Sequence, residues 1–112
     1  WLVIYHAVDR DNTRGKNGWE EKWQKRYTVG AMLLDLDEPW RVLGSMRDPL
    51  LVPEEYNETV EGMRTNALFP CAAFLEEDGV TMRGYYSASD TVIRMARADV
   101  RDVIAECLKN PR

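Results

Sequence analysis

Two β-favouring runs flank the dipeptide Asp78-Gly79, and no other feature limits the fold of this chain so tightly. The first reads Asn-Ala-Leu-Phe-Pro-Cys-Ala-Ala-Phe-Leu at residues 66–75, the second Val-Thr-Met-Arg-Gly-Tyr-Tyr-Ser-Ala at residues 80–88. Asp-Gly between such runs predicts a hairpin, because that pair accepts the backbone of a tight turn. The second run ends in Tyr85 and Tyr86, three small residues and one acid, Asp90. An aromatic face covers an apolar C–H surface and a carboxylate accepts hydroxyl hydrogen bonds, so this strand end suits a hydroxylated ligand such as a sugar. Strands also end in polar residues simply because they enter loops, and the pattern alone leaves both readings open.

The rest of the chain reads as more strands and one helix. Residues 1–8 are strongly β-favouring. Residues 9–25 carry Asp, Asn, Gly and charges without a sustained period and read as a long loop. A second strand is expected over 26–36, stopped by Asp37-Glu38-Pro39, and a short third over 41–46. An irregular connection over 48–63 is broken by Pro53 and Gly62, and a strand over 92–98 follows the hairpin. Val100, Val103, Ile104, Cys107 and Leu108 then recur at the spacing of one helical face. Asp99 is placed to cap that helix, Asp102 suits the positive end of its dipole and Lys109 the other end. Such strands build a sandwich, a barrel or propeller blades. About six of them suggest part of a larger closed architecture, since an open set leaves edges to protect.

Composition narrows the function classes. The chain has 112 residues, enough for one small domain and too few for two. No apolar run approaches the ~20 residues that span a bilayer. No basic-then-apolar export signal is present, so the expected compartment is the cytoplasm and the sequon at Asn57 is a chance match. A net charge of −4 argues against a polyanion binder. Trp19, Lys22, Trp23, Lys25 and Arg26 do mix aromatic and basic groups as single-strand binders do. Glu20 and Glu21 sit among them, and a solvated loop or short helix is the plainer reading. Cys71, in an apolar strand, and Cys107, on the helix stripe, are expected to be reduced core residues. With a single His and no Cys-X-X-Cys pair, no metal site is expected. Nor is there a Gly-rich phosphate loop, a Gly-X-Ser-X-Gly elbow or a His-Glu-X-X-His pattern. The chain opens with Trp1 inside an apolar run, which reads as a piece of a longer protein.

Four ordered stretches carry a family resemblance. They are Trp-Leu-Val-Ile-Tyr-His-Ala-Val at 1–8, Tyr-Thr-Val-Gly-Ala-Met-Leu-Leu-Asp-Leu-Asp-Glu-Pro at 27–39 and Arg-Asp-Pro-Leu-Leu-Val-Pro-Glu at 47–54. The last runs from Asn-Ala-Leu-Phe-Pro-Cys-Ala-Ala at 66–73 to Tyr-Tyr-Ser-Ala-Ser-Asp-Thr at 85–91. Together they resemble glycoside hydrolase family 130, the inverting β-mannoside phosphorylases and related mannosidases. The resemblance implies the C-terminal third of a five-bladed β-propeller. Residues 1–98 would supply roughly the last two blades, and residues 99–112 the closing helix and tail.

It also implies a chemistry. Inverting phosphorolysis needs a general acid on the leaving oxygen and a phosphate approaching the anomeric carbon from the opposite face. No residue here matches the family's catalytic aspartate, so that acid is expected upstream and no catalytic residue is assigned in this chain. His6 corresponds to the phosphate-binding position, where an imidazole donates to the anion; a histidine satisfied by strand neighbours is the plainer alternative. Tyr27, Asn66 and Asp90 match sugar-subsite positions. Asp90 is the most telling of them, because burying it without a partner would be costly. Tyr86 is expected either beside it or in blade packing. Thr65 stands where proline is usual, Arg94 and Arg97 where small or apolar residues are, and Trp19 or Trp23 would reach an acceptor subsite or a surface contact.

The implied partners are a β-mannoside oligosaccharide and inorganic phosphate as co-substrate, with no cofactor, nucleic acid or membrane. Unprotected edges favour self-association into a homo-oligomer. The alternatives are a β-mannosidase of the same family, using water, and a noncatalytic sugar-binding fragment.

Overall fold

A computed structural model describes residues 1–10, 25–53 and 67–111. Among these residues six strands form two antiparallel sheets of three, each a simple meander, and one helix follows. The first sheet holds β1 (Leu2–Arg10), β2 (Lys25–Leu34) and β3 (Val42–Ser45) in that order. The second holds β4 (Leu68–Leu75), β5 (Thr81–Ala88) and β6 (Val92–Asp99), and α1 (Val100–Leu108) continues directly from β6. The expected strands, the hairpin and the helix are all present. The first two strands run deeper into the presumed loop than the sequence suggested, to Arg10 and from Lys25.

Register explains where the core lies. β1 pairs with β2 so that Leu2 faces Leu33, Ile4 faces Ala31, His6 faces Val29 and Val8 faces Tyr27. Alternation puts all eight on one face of the sheet. At one end this face packs Ala31 against Leu2, Ile4, Leu33, Met82 and the helix residues Val103 and Cys107. Towards the middle, Val29 packs with Leu68 and Ala88 of the second sheet. After β3 the chain runs on irregularly beside β2: Met46 N–H donates to the Ala31 carbonyl at 2.9 Å, and Leu51 forms an antiparallel bridge with Val29. That covers the open edge of a fully buried stretch of strand.

The helix forms as read. Asp99 caps it, accepting from the Arg101 backbone N–H at 2.9 Å, and Lys109 stands at its C-cap with its ammonium on Glu106. Val103 and Cys107 are buried, whereas Leu108 is 52 % exposed and leaves the expected stripe. It lies one residue, about 100°, round from Cys107, beyond the cover of the sheet. Past the helix the chain pairs Pro111 with Gly44 of β3, and Ser45 N–H donates to the Asn110 carbonyl.

Two other expectations need correction. Cys71 is exposed, not a core residue: the register of β4 against β5 slips between Pro70 and Ala72, leaving Cys71 as the extra residue of a bulge. Proline fits there because β4 is an edge strand and needs no N–H on its open side. The Asp78-Gly79 hairpin exists, but its loop is not a two-residue turn. Glu76 N–H donates to the Thr81 carbonyl and Gly79 N–H to Glu76, with Gly79 at φ 73°. Asp78 serves as acceptor instead, taking the Thr81 hydroxyl at 2.6 Å and the N–H groups of Val80 and Thr81. These bonds, the Thr81 hydroxyl foremost, hold its carboxyl below the usual value.

Candidate functional site

One end of both sheets gathers the polar and aromatic residues. Tyr27 and Ala67 form a parallel bridge, so β2 and β4 start side by side. Antiparallel pairing brings the end of β1 and the turn between β5 and β6 to the same end. The site residues therefore crowd where the apolar face of the first sheet runs out.

His6 is the hinge of this arrangement. It shares a face with Leu2 and Ile4, but two residues further along it emerges into solvent. Its ring stands edge-on to Tyr27, with centroids 5.4 Å apart and planes at 70°, as befits a diagonal cross-strand neighbour. On its other side it stands edge-on to Phe69 of the second sheet, at 4.9 Å and 65°. Tyr27 is half-buried and Phe69 is 50 % exposed. The three rings form a rim that spans both sheets. An imidazole there can donate to an anion or a hydroxyl, and the exposed Phe69 ring can cover an apolar sugar face.

The turn from β5 to β6 borders this rim. Ser89 N–H donates to the Ala67 carbonyl at 2.8 Å, tying the turn to the start of β4. Thr91 N–H closes on the Ala88 carbonyl at 3.0 Å, and the Thr91 hydroxyl donates to the Ser89 carbonyl at 2.8 Å. Ser89 and Asp90 both sit at positive φ, 54° and 52°. Two such central residues make the backbone of a type I′ turn.

Of the four residues singled out from sequence, His6 and Tyr27 are brought together, and Asp90 lies in the bordering turn. Asn66 lies outside the described residues, as do Thr65, Trp19 and Trp23. Asp90 is exposed, which corrects the expectation of a carboxylate in need of a buried partner. Tyr86 packs against Val29, Leu68 and Ala88, so it belongs to the core and not to the rim. Phe69 and Ser89 were missed. Phe69 carried one signal, since strand alternation sets it opposite the core residue Leu68. Nothing local marks Ser89.

A cavity of about 130 Å³ between the sheets is a separate feature. Ile4, Val29, Leu51, Met82 and Tyr86 are among its lining residues, and its wall is almost wholly apolar. A hydroxylated ligand would lose its hydrogen bonds there, so it is a packing gap between two sheets. Among the described residues no helix is long and apolar enough to cross a membrane.

Known proteins resemble this chain in sequence and in fold. The 1,2-beta-oligomannan phosphorylase of Thermoanaerobacter sp. is 35 % identical over 103 residues, which are 92 % of this chain and 29 % of that protein. The beta-1,4-mannooligosaccharide phosphorylase of Ruminococcus albus is 35 % identical over 93 % of this chain and 28 % of its own length. The chain thus spans under a third of these curated relatives. The structure of beta-1,2-mannobiose phosphorylase from Listeria innocua, in complex with beta-1,2-mannobiose, superposes with a TM-score of 0.73 at 28 % identity. That match covers 96 % of this chain and 26 % of the other. The glycoside hydrolase family 130 model, described as beta-1,4-mannooligosaccharide phosphorylase, matches residues 1–109, from the first strand through the helix. By that match, which takes in both sheets and every residue of the rim, the chain belongs to glycoside hydrolase family 130.

Proposed function

We propose that the chain is the C-terminal part of an inverting β-mannoside phosphorylase, an enzyme that transfers a mannosyl unit to inorganic phosphate. The two sheets would be two adjacent blades of a five-bladed propeller, with the His6 rim turned towards its central site. The observation that carries this reading is the placement of His6, edge-on to both Tyr27 and Phe69 where the two sheets meet. An imidazole at that rim can donate to phosphate while the neighbouring rings and Asp90 engage the sugar.

In the proposed reaction a phosphate oxygen attacks the anomeric carbon from the face opposite the leaving group. The C1–O bond to the acceptor sugar breaks as its oxygen takes a proton from a general acid, giving α-mannose 1-phosphate. That acid would stand in the length of the relatives that these residues do not match. His6 would bind phosphate, and Tyr27, Asn66 and Asp90 would line the sugar subsite. Names of relatives support this reading, each a phosphorylase of mannosides.

The test is an assay of the longer protein containing these residues, on β-mannobiose with and without phosphate. Release of sugar that requires phosphate and yields mannose 1-phosphate is expected. Equal release in its absence would assign the protein to the hydrolases instead. Titration of the 112-residue chain alone with mannobiose and phosphate separates a fragment that keeps binding from one that does not.

A further inference from the structure

The turn that carries Asp90 holds Ser89 in a backbone conformation that serine does not favour. At positive φ the Cβ crowds the following carbonyl, so turns of this kind favour glycine, asparagine and aspartate. Asp90, at 52°, is of a favoured type, but Ser89 before it, at 54°, is not. Ser89 is fully buried, and its hydroxyl has no hydrogen-bond partner among the described residues. A buried hydroxyl without a partner adds a second unfavourable contribution at the same residue. The turn persists because it is tethered: Ser89 N–H to Ala67, Thr91 hydroxyl to Ser89, Thr91 N–H to Ala88. Strain that the surroundings over-determine marks places where a side chain must be held in one position.

We infer that the Ser89–Thr91 turn is a strained mount for the Asp90 carboxylate, with Ser89 and Thr91 as positioning residues that do not themselves touch the sugar. The inference rests on the proposed reading of Asp90 as a sugar-binding group. Fixing the backbone in advance spares the ligand the entropy of ordering that carboxylate. Relief of the strain should therefore stabilise the protein and weaken sugar binding together, whereas in a merely structural turn it would stabilise the protein and leave sugar binding unchanged.

The experiment uses the longer protein, assayed with β-mannobiose and phosphate. Ser89→Gly removes both the crowded Cβ and the unpaired hydroxyl. It should raise Tm by about 2 °C while raising KM for mannobiose roughly three- to tenfold, with KM for phosphate within about twofold. Thr91→Val, which keeps the shape and loses the donor, should raise the mannobiose KM about threefold without raising Tm. Asp90→Asn is the control for the underlying reading and should raise the same KM more than about tenfold. If Asp90→Asn leaves it unchanged, the sugar-binding role of Asp90 fails. If Asp90→Asn is impaired but Ser89→Gly keeps its mannobiose KM, or loses Tm, the mount is overturned while the site survives.

Discussion

The ring of His6, on the first sheet, stands edge-on to the ring of Phe69, on the second, with centroids 4.9 Å apart. This contact joins two sheets whose strands are far apart in sequence, and it lies at the end where the buried face gives way to solvent. A packed ring restricts the imidazole, and a restricted donor loses less entropy on meeting an anion.

If His6 binds phosphate, His6→Glu places an anion where the substrate's charge should sit. We expect KM for phosphate to rise roughly ten- to hundredfold while KM for the mannoside changes less than about twofold. Unchanged phosphate kinetics in the longer protein would remove His6 from the phosphate site.

Phe69→Ala deletes one of the two rings against which His6 packs. Half-exposed as it is, Phe69 contributes chiefly through that edge-on pair, so a loss of about 1 kcal/mol is expected in chemical denaturation. Phe69→Tyr should restore most of it. A Phe69→Ala variant of wild-type stability would show that the contact contributes nothing.

Gly44 is buried where the C-terminal helix crosses β3, and a Cβ there would run into the backbone carbonyl oxygen of Cys107. Backbone cannot swing aside, so Gly44→Ala should cost about 2–3 kcal/mol and loosen residues 100–111 towards limited proteolysis. Gly30→Ala should cost less, about 1 kcal/mol, because its Cβ would meet the movable Tyr5 ring at 2.6 Å. Equal costs would show that β3 and the helix can separate freely.

Asp99 ties the helix start to Arg101, whose guanidinium hydrogen bonds, with the Arg101 backbone N–H, hold its carboxyl at about 2 in place of 3.8. A depressed carboxylate stabilises the fold fully above its unfolded value and loses that contribution as pH falls towards the folded one. Helix stability should therefore decline between about pH 4 and pH 2, and Asp99→Ala should lower Tm at pH 7 by on the order of 3 °C. Circular dichroism melts of both proteins would converge near pH 2; curves that stay parallel would refute the cap.

The thiols should differ sharply. Cys71 is exposed at the bulge, while Cys107 is buried and its thiol is pushed up by desolvation. One thiol per native chain should react quickly with a disulfide reagent, and the second only in denaturant. Two fast thiols would mean that the helix does not hold its place over Ala31.

Sequence by itself determined the local elements. The β-favouring runs, the Asp-Gly hairpin and the 3.6-residue stripe opened by Asp99 depend on neighbours a few residues apart, and each formed. The hairpin loop is nonetheless longer than two residues, and Leu108 leaves the stripe. The ordered motifs likewise sufficed to identify the family, since they hold whatever the partners of each residue prove to be. Only tertiary structure decided which side chains meet. That Phe69 backs His6, that Tyr86 turns to the core, that Cys71 is squeezed out by a bulge and that Ser89 is buried on a strained turn all follow from the register between strands and the packing of one sheet on the other. A one-residue slip in pairing reverses which face a side chain takes, and no local pattern of residues records it.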